Sequence, residues 1–431
     1  MPDPHQLELA NTLLSIGSFL VIFLAARTLA ELMVRLQLPT ILGELLGGVL
    51  IGVSGLHLIG APEAMASGGN GMLDLVGLVT HLGSPDLLHV SEGVYATLEQ
   101  VATLGLYSLL FQAGLESELD LLLAVALQAT SVALAGVLLP FAAATSGLML
   151  LFGVDLVPAI FAGASLTATS IGITASVFGE LGVLRSREGQ IVVGAAVLDD
   201  IFGIVILAVV VSLAGGAQPE LGSILQVVVA AVVFVVASVL LSRRAAPWFD
   251  GLVEQLKAPG EVVVASYAVL AVVCVLSSAI GLEAALGAYG AGLMLSNSSR
   301  LKAIQGAVQP VASLFSTVFF VLIGAGLELG VLNPMEAANR PGLVVAIFLL
   351  LVAIAGKVMA GWSFFSEQPV RRLLVGIGMM PRGEVGLIFL GLGRQDQILS
   401  PALESGILLA VIGTTFLAPV LLRQVLSPRP A

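Results

Sequence analysis

The pattern of hydrophobic and polar positions divides the chain into thirteen apolar segments, at about residues 9–30, 39–56, 94–116, 121–145, 155–179, 189–213, 220–241, 261–280, 282–298, 303–328, 341–365, 371–393 and 402–425. Each is near the ~20 residues an α-helix needs to cross a hydrocarbon core of about 30 Å. Strands of a membrane barrel would alternate over about 10 residues instead, so the pattern predicts spanning helices. Two connections are long. Residues 57–92 are glycine-rich, hold His57, His81 and His89, and read as a solvated external loop. Residues 242–260 are polar and carry Arg243, Arg244, Trp248 and Lys257.

Thirteen crossings put the termini on opposite sides. Of the 17 Lys and Arg, thirteen then fall on one side and two, Arg340 and Arg394, on the other; Lys357 and Arg382 lie inside segments. By the positive-inside rule the N-terminus is outside and the C-terminus cytoplasmic. The halves also resemble each other. LPTILGELLGGVLIG in segment 2 matches LEAALGAYGAGLMLS in segment 9, FQAGLESEL (111–119) matches LIGAGLELG (322–330), and SLTATSIGI (165–173) falls opposite MMPRGEVGL (379–387). Segments 1–6 pair with 8–13, and segment 7 inverts the second set. Inverted repeats around a midplane site are an architecture of secondary transporters.

Composition narrows the class further. Hydrophobic residues make up 58%, charged residues 10%, and mean hydropathy is +1.08, against about 25% charged residues in soluble chains. The expected fold is therefore an all-α polytopic membrane protein, with membrane lipid as its neighbour. A single cysteine, Cys274, excludes an internal disulfide or a cysteine-built metal site. The acidic leader MPDPHQLELA argues against a cleaved signal peptide. The net charge of −11 lies mostly in loop acids and gives no support to a nucleic-acid partner.

Polar residues that interrupt the apolar segments carry the chemistry. Asp199 and Asp200 sit side by side in segment 6, where each carboxylate costs roughly 2.5–3.5 kcal/mol to insert. At similar depth lie Thr167 and Thr169 in segment 5, Lys357 in segment 11, and Arg382 and Glu384 in segment 12. Neighbours on a helix face different ways, so one aspartate can hold Lys357 while the other faces an aqueous cavity. A purely structural ion pair would leave the second acid unexplained. Segments 5 and 12 are expected to break. Pro381 removes a backbone donor, and Gly383 and Gly386 weaken the turn. The hydroxyls of Ser165, Thr167, Thr169 and Ser170 can rescue freed backbone groups, offer oxygens to a cation, or bond back to their own helix. Arg382 and Glu384 form a supporting charge network that balances the half-helix ends. Glu44 lines an entrance or meets water, and Gly43, Gly47, Gly48 and Gly52 serve close helix packing.

LDD in segment 6, TATS before it, the lysine of AGKVMAGW and PRGEVGL together resemble cation:proton antiporters of the Kef-type and sodium/proton exchanger kind, over about residues 9–425. The resemblance implies a sodium/proton antiporter-like fold with crossed, broken helices 5 and 12. It implies scaffold and dimerisation helices 1–3 (1–116), core helices 4–6 (117–214), linker helix 7 with a cytoplasmic loop (215–260), scaffold helices 8–10 (261–330) and core helices 11–13 (331–431). It also implies a homodimer with an elevator-like core. Asp200 matches the residue that binds the transported Na⁺ or proton, Asp199 the partner of Lys357, and Thr167 and Thr169 the unwound crossover. The second acid departs from potassium-efflux members and points to Na⁺ over K⁺. The chain also ends soon after the last segment, so no regulatory nucleotide-binding domain is expected.

The function expected is electrogenic exchange of Na⁺ for H⁺ by competition at Asp200, in the plasma membrane or an internal membrane such as a thylakoid. No resident cofactor and no enzymatic activity are expected. A sodium-coupled organic-anion symporter would need a larger polar pocket. An intramembrane aspartyl protease would need aspartates on separate helices and a GxGD sequence, which is absent here.

Overall fold

The computed structural model describes residues 3–36, 38–60, 71–117, 119–214, 221–282, 284–327, 329–332, 340–366, 368–382, 386, 389–390 and 398–426; some helical side chains within these spans, that of Asp200 among them, lie outside the described set. The described residues form sixteen α-helices and no strand. In chain order these are α1 (Pro4–Arg35), α2 (Thr40–Ile51), α3 (Gly71–Thr80), α4 (Ser84–Glu116), α5 (Leu119–Ala124), α6 (Ala126–Phe152), α7 (Leu156–Ser165) and α8 (Ile171–Glu180). There follow α9 (Arg187–Ala214), α10 (Leu221–Gln255), α11 (Glu261–Ala279), α12 (Ala284–Leu295), α13 (Leu301–Ala325), α14 (Arg340–Ala360), α15 (Arg372–Gly378) and α16 (Pro401–Leu426).

Seven of these helices are each long and apolar enough to cross a membrane: α1, α4, α6, α11, α13, α14 and α16. In α1 the buried face repeats every four residues through Ala10, Leu14, Ser18, Ile22, Ala26 and Ala30. Ile16, Leu20 and Leu24 are exposed on another face. Both faces are apolar because the outer one meets lipid, so the sequence shows a uniform run and no amphipathic stripe. Asp3 caps the first turn by accepting from the His5 N–H at 3.1 Å, with Pro4 at the opening position.

Four helices in the predicted segments run to only 10–12 residues. α2 and α12 have 12 residues each, and α7 and α8 have 10 each. At 1.5 Å per residue each spans only about 15–18 Å. α7 and α8 therefore share the fifth crossing. α2 and α12 are mates in the inverted repeat, and both are rich in glycine.

Several boundaries differ from the apolar pattern. Residues 57–92 are not simply a loop: α3 lies within them, packed on α1, and α4 begins at Ser84. The α4 helix is 33 residues long, about 50 Å. Its first turns carry Asp86, His89 and Glu92, so hydropathy alone marks only the later part. α10 likewise continues through the polar stretch to Gln255, where Ser298, Ser299 and Arg300 bond to Asp250 and Glu254. Burial works against the Asp250 carboxylate, but the hydrogen bonds from Ser298 and Ser299 outweigh it and hold the group below its ordinary range.

Contacts divide the chain into two compact units. The first comprises Met1–Ser108 with Pro310–Val331, and the second Leu109–Gln309 with Leu332–Ala431. The second unit groups α11 and α12 with α6–α9, whereas the sequence division drew them with the first three segments.

Each unit contains one copy of the same glycine contact. In the first, a β-carbon on Gly48 of α2 would stand 2.1 Å from the Val321 carbonyl oxygen and 2.8 Å from Gly324 Cα. In the second, a β-carbon on Gly292 of α12 would stand 2.1 Å from the Phe111 carbonyl oxygen and 2.9 Å from Gly114 Cα. Phe111 and Gly114 thus take the places of Val321 and Gly324, a shift of 210 residues. Aligned on their GLE triplets at 114–116 and 326–328, FQAGLESEL and LIGAGLELG give a shift of 212 instead. Letters align on composition, but backbones touch only where a side chain is missing.

Helix association in lipid depends on such close approach by small residues. Overpacking a contact of this kind costs about 1–3 kcal/mol, occasionally more. Gly292→Val should therefore lower the melting temperature of the purified protein. Gly306→Ala on α13 should not, since a β-carbon there meets nothing within 4 Å. Equal melting of the two variants would mean that α4 and α12 do not meet at Gly292.

Candidate functional site: a crossing of broken helices around a buried ion pair

In the second unit, α7 ends at Ser165 and α8 begins at Ile171, leaving 166–170 outside helix; α15 ends at Gly378 and the next residues, through Arg382, are also non-helical. Each break frees backbone groups that water cannot reach in a membrane. The two breaks satisfy each other. The Ser170 N–H donates to the Pro381 carbonyl at 2.8 Å. Thr174 donates its hydroxyl to the Gly378 carbonyl at 2.9 Å. Arg382 Nη1 donates to the carbonyls of Thr167 at 3.0 Å and Ala168 at 2.6 Å. Those carbonyls lie just beyond the end of α7, where a helix dipole favours a cation. Thr415 of α16 donates to the Arg382 carbonyl at 2.6 Å.

Asp199 of α9 faces this crossing and is completely buried. Its Oδ2 accepts from Lys357 Nζ at 2.6 Å and from the Thr169 hydroxyl at 2.7 Å. The same hydroxyl lies 3.1 Å from the Met379 carbonyl, so one proton is shared between a carboxylate and a freed backbone oxygen. Lys357 is also completely buried and sits in the last turn of α14, where a positive charge suits the helix end. Ala144 and Leu148 of α6, Ala159 and Phe161 of α7, Leu349 and Ala353 of α14, and Leu403 and Ile407 of α16 pack into one apolar cluster. That cluster fixes α14 against its neighbours and so aims the lysine.

The structure thus brings together Asp199, Lys357, Thr169 and Arg382. Thr167 enters through its carbonyl, because its hydroxyl bonds back to Ala164 at 2.7 Å. Ser165 likewise bonds back, to Ala162. Asp200 follows Asp199 on α9, but its side chain lies outside the described residues, as does Glu384. Among the described residues, Asp199 Oδ1, Ser170 Oγ, and Arg382 Nε and Nη2 are buried without a hydrogen-bond partner. Such atoms are unusual, and these four lie at the crossing. Sequence reasoning passed over Thr174 and Thr415. The signal was present: each is a hydroxyl in an apolar helix. It could not be read alone, since most such hydroxyls bond to their own helix. Glu44 belongs to the first unit, where it accepts from Thr317 at 2.9 Å.

Breaking a buried pair by removing one partner costs about 3–5 kcal/mol. Lys357→Ala should lower the melting temperature sharply, and the Asp199→Asn, Lys357→Gln double variant should recover part of the loss. Strictly additive losses around that cycle would mean the two groups do not interact in the folded protein.

The sequence matches the family described as sodium/hydrogen exchanger, transmembrane, over residues 19–427. It is 45% identical over 424 residues to the high-affinity Na⁺/H⁺ antiporter NhaS3 of Synechocystis sp., spanning 97% of this chain and 90% of that protein. It is 28% identical to the Na⁺/H⁺-K⁺ antiporter GerN of Bacillus cereus, spanning 94% of each. Its fold is similar to that of the sodium proton antiporter MjNhaP1 of Methanocaldococcus jannaschii, with a TM-score of 0.62, 15% identity, and coverage of 95% of this chain and 96% of that one. A match across nearly the whole membrane region, a relative of such high identity and a shared fold agree: this integral membrane protein belongs to the transmembrane sodium/hydrogen exchanger family.

Proposed function

We propose that the chain is a secondary active antiporter that exchanges Na⁺ for H⁺ across its membrane. The observation that carries this reading is the buried Asp199–Lys357 pair at the crossing of two broken helices, in a chain of this family. The relatives named as Na⁺/H⁺ antiporters favour sodium over potassium. No enzymatic chemistry is part of the proposal.

Successive helix residues diverge by about 100°. With Asp199 committed to Lys357 and Thr169, the reading assigns ion and proton to Asp200. Bound Na⁺ and bound H⁺ exclude each other on one carboxylate, and this competition couples the fluxes. A cation arriving beside the pair also repels the Lys357 ammonium. Lys357 then releases a second proton as its bond to Asp199 opens and regains it when the bond reforms. Two protons move against one Na⁺, so net charge crosses. The proposal includes a homodimer joined through the scaffold helices, with a core that carries the site between the two sides. It also includes an external N-terminus and a cytoplasmic C-terminus, from the segregation of basic residues.

Two outcomes test this. In sealed proteoliposomes, a Na⁺ gradient should build a voltage, and collapsing that voltage with an ionophore should speed exchange. Asp200→Asn should abolish exchange, because an amide cannot trade a proton for a cation, while Lys357→Gln should keep slower, electroneutral exchange. Voltage-insensitive exchange by the unmodified protein would remove the proton assigned to Lys357 and leave Asp200 in place. For orientation, single cysteines at Ser84 and Lys257 in a Cys274→Ala background should label from opposite sides of the membrane. Labelling from one side would overturn the thirteen-crossing topology.

A further inference from the structure

The Lys357 side chain has to travel from α14 to Asp199 on α9, and α6 packs against both helices. Gly136 of α6 lies on that route. A β-carbon there would stand 3.2 Å from Lys357 Nζ, 3.4 Å from Cδ and 3.7 Å from Cε. The far half of the lysine thus lies along a strip of α6 that glycine leaves bare. One turn further on, Pro140 is buried inside the same helix. A β-carbon on Gly356, beside Lys357, would come within 2.9 Å of Pro140 Cδ, so the two helices approach closely at this level. Proline has no N–H to give the carbonyl four residues earlier. That carbonyl belongs to Gly136, so one acceptor has lost its helical donor on the turn that the ammonium crosses.

We propose that Gly136, with the carbonyl freed by Pro140, is a positioning seat for Lys357. By its missing side chain it sets how near the ammonium comes to Asp199, and by its carbonyl it receives the ammonium when the pair opens. Among the described residues, the charged groups around the pair are Asp199 from α9 and Arg382 from the break after α15; α6 contributes no charge at this point. The inference rests on the proposed role of Lys357 as the second proton carrier.

The test uses the full chain in proteoliposomes and reads the pH midpoint of Na⁺-driven exchange together with melting temperature. Gly136→Ala should move the midpoint in the same direction as Lys357→Gln, by about half a unit or more, a fraction of the 1–3 units a close opposite charge is worth. Gly147→Ala is the packing control, since a β-carbon there would meet the Phe348 ring of α14 at 2.2 Å without touching the lysine. It should lower melting and leave the midpoint alone. In a Lys357→Gln background, Gly136→Ala should leave the midpoint unchanged, because no ammonium remains for the added methyl to displace. That double variant decides the matter even if Gly136→Ala alone folds poorly. An unshifted midpoint in Gly136→Ala, or a shift that persists without the lysine, would overturn the seat while leaving the transport reading intact. An unchanged midpoint in Lys357→Gln itself would overturn both the seat and the second proton assigned to Lys357, and leave exchange at Asp200 in place.

Discussion

A carboxylate and an ammonium buried together in the middle of a membrane domain constrain everything around them. Neither charge is tolerable there alone, and as a pair they add little stability, since desolvation offsets most of their attraction. Three elements must meet to place them: α9 supplies Asp199, α14 supplies Lys357, and the break between α7 and α8 supplies Thr169. The second broken helix is then required, because the first leaves carbonyls and an N–H that only another irregular backbone at the same depth can satisfy. Arg382, Pro381 and Met379 meet that need from the opposite side. An arrangement so costly and so weakly stabilising is hard to explain as scaffolding, and it fits a site whose charges are meant to change partners.

Glycine supplies the rigidity that the breaks give up. The Gly48–Gly324 contact and the Gly292–Gly114 contact put helix backbones almost in touch, once in each compact unit. The two copies repeat one geometry in both halves of the chain. A short helix of 12 residues forms each of them, which keeps the contact local and leaves the longer helices to cross the membrane.

Most of the fold was legible in the sequence because its driving pattern is coarse. Apolar runs of spanning length and repeated glycine motifs suffice to predict an all-helical membrane fold with paired halves. The misreadings have one cause: hydropathy reports where a helix meets lipid, not where it stops. Thus α4 and α10 extend well beyond their apolar stretches, and α3 was read as loop. For the site, charge was the readable signal. Asp199, Lys357 and Arg382 stand out in any apolar run. Hydroxyls do not, because Thr167 and Thr169 look alike in TATS, yet one bonds back to its own backbone and the other reaches the aspartate. That distinction depends on where the helix unwinds, a property of the crossing and not of either segment by itself.

The division of labour among those hydroxyls has a consequence for coupling. Ser165 and Thr167 are occupied by carbonyls of their own strand of backbone, and Thr169 is occupied by Asp199. A cation entering the crossing therefore finds few neutral oxygens already free. The buried atoms without partners among the described residues include Ser170 Oγ and the second oxygen of Asp199 itself. In the proposed cycle the cation is held by Asp200, next to the carboxylate that Lys357 holds at 2.6 Å. The two positive charges then repel each other in a medium that screens them poorly. On that proposal, ion entry at Asp200 and loosening of the lysine are coupled through the oxygens the unwound backbone has left unclaimed.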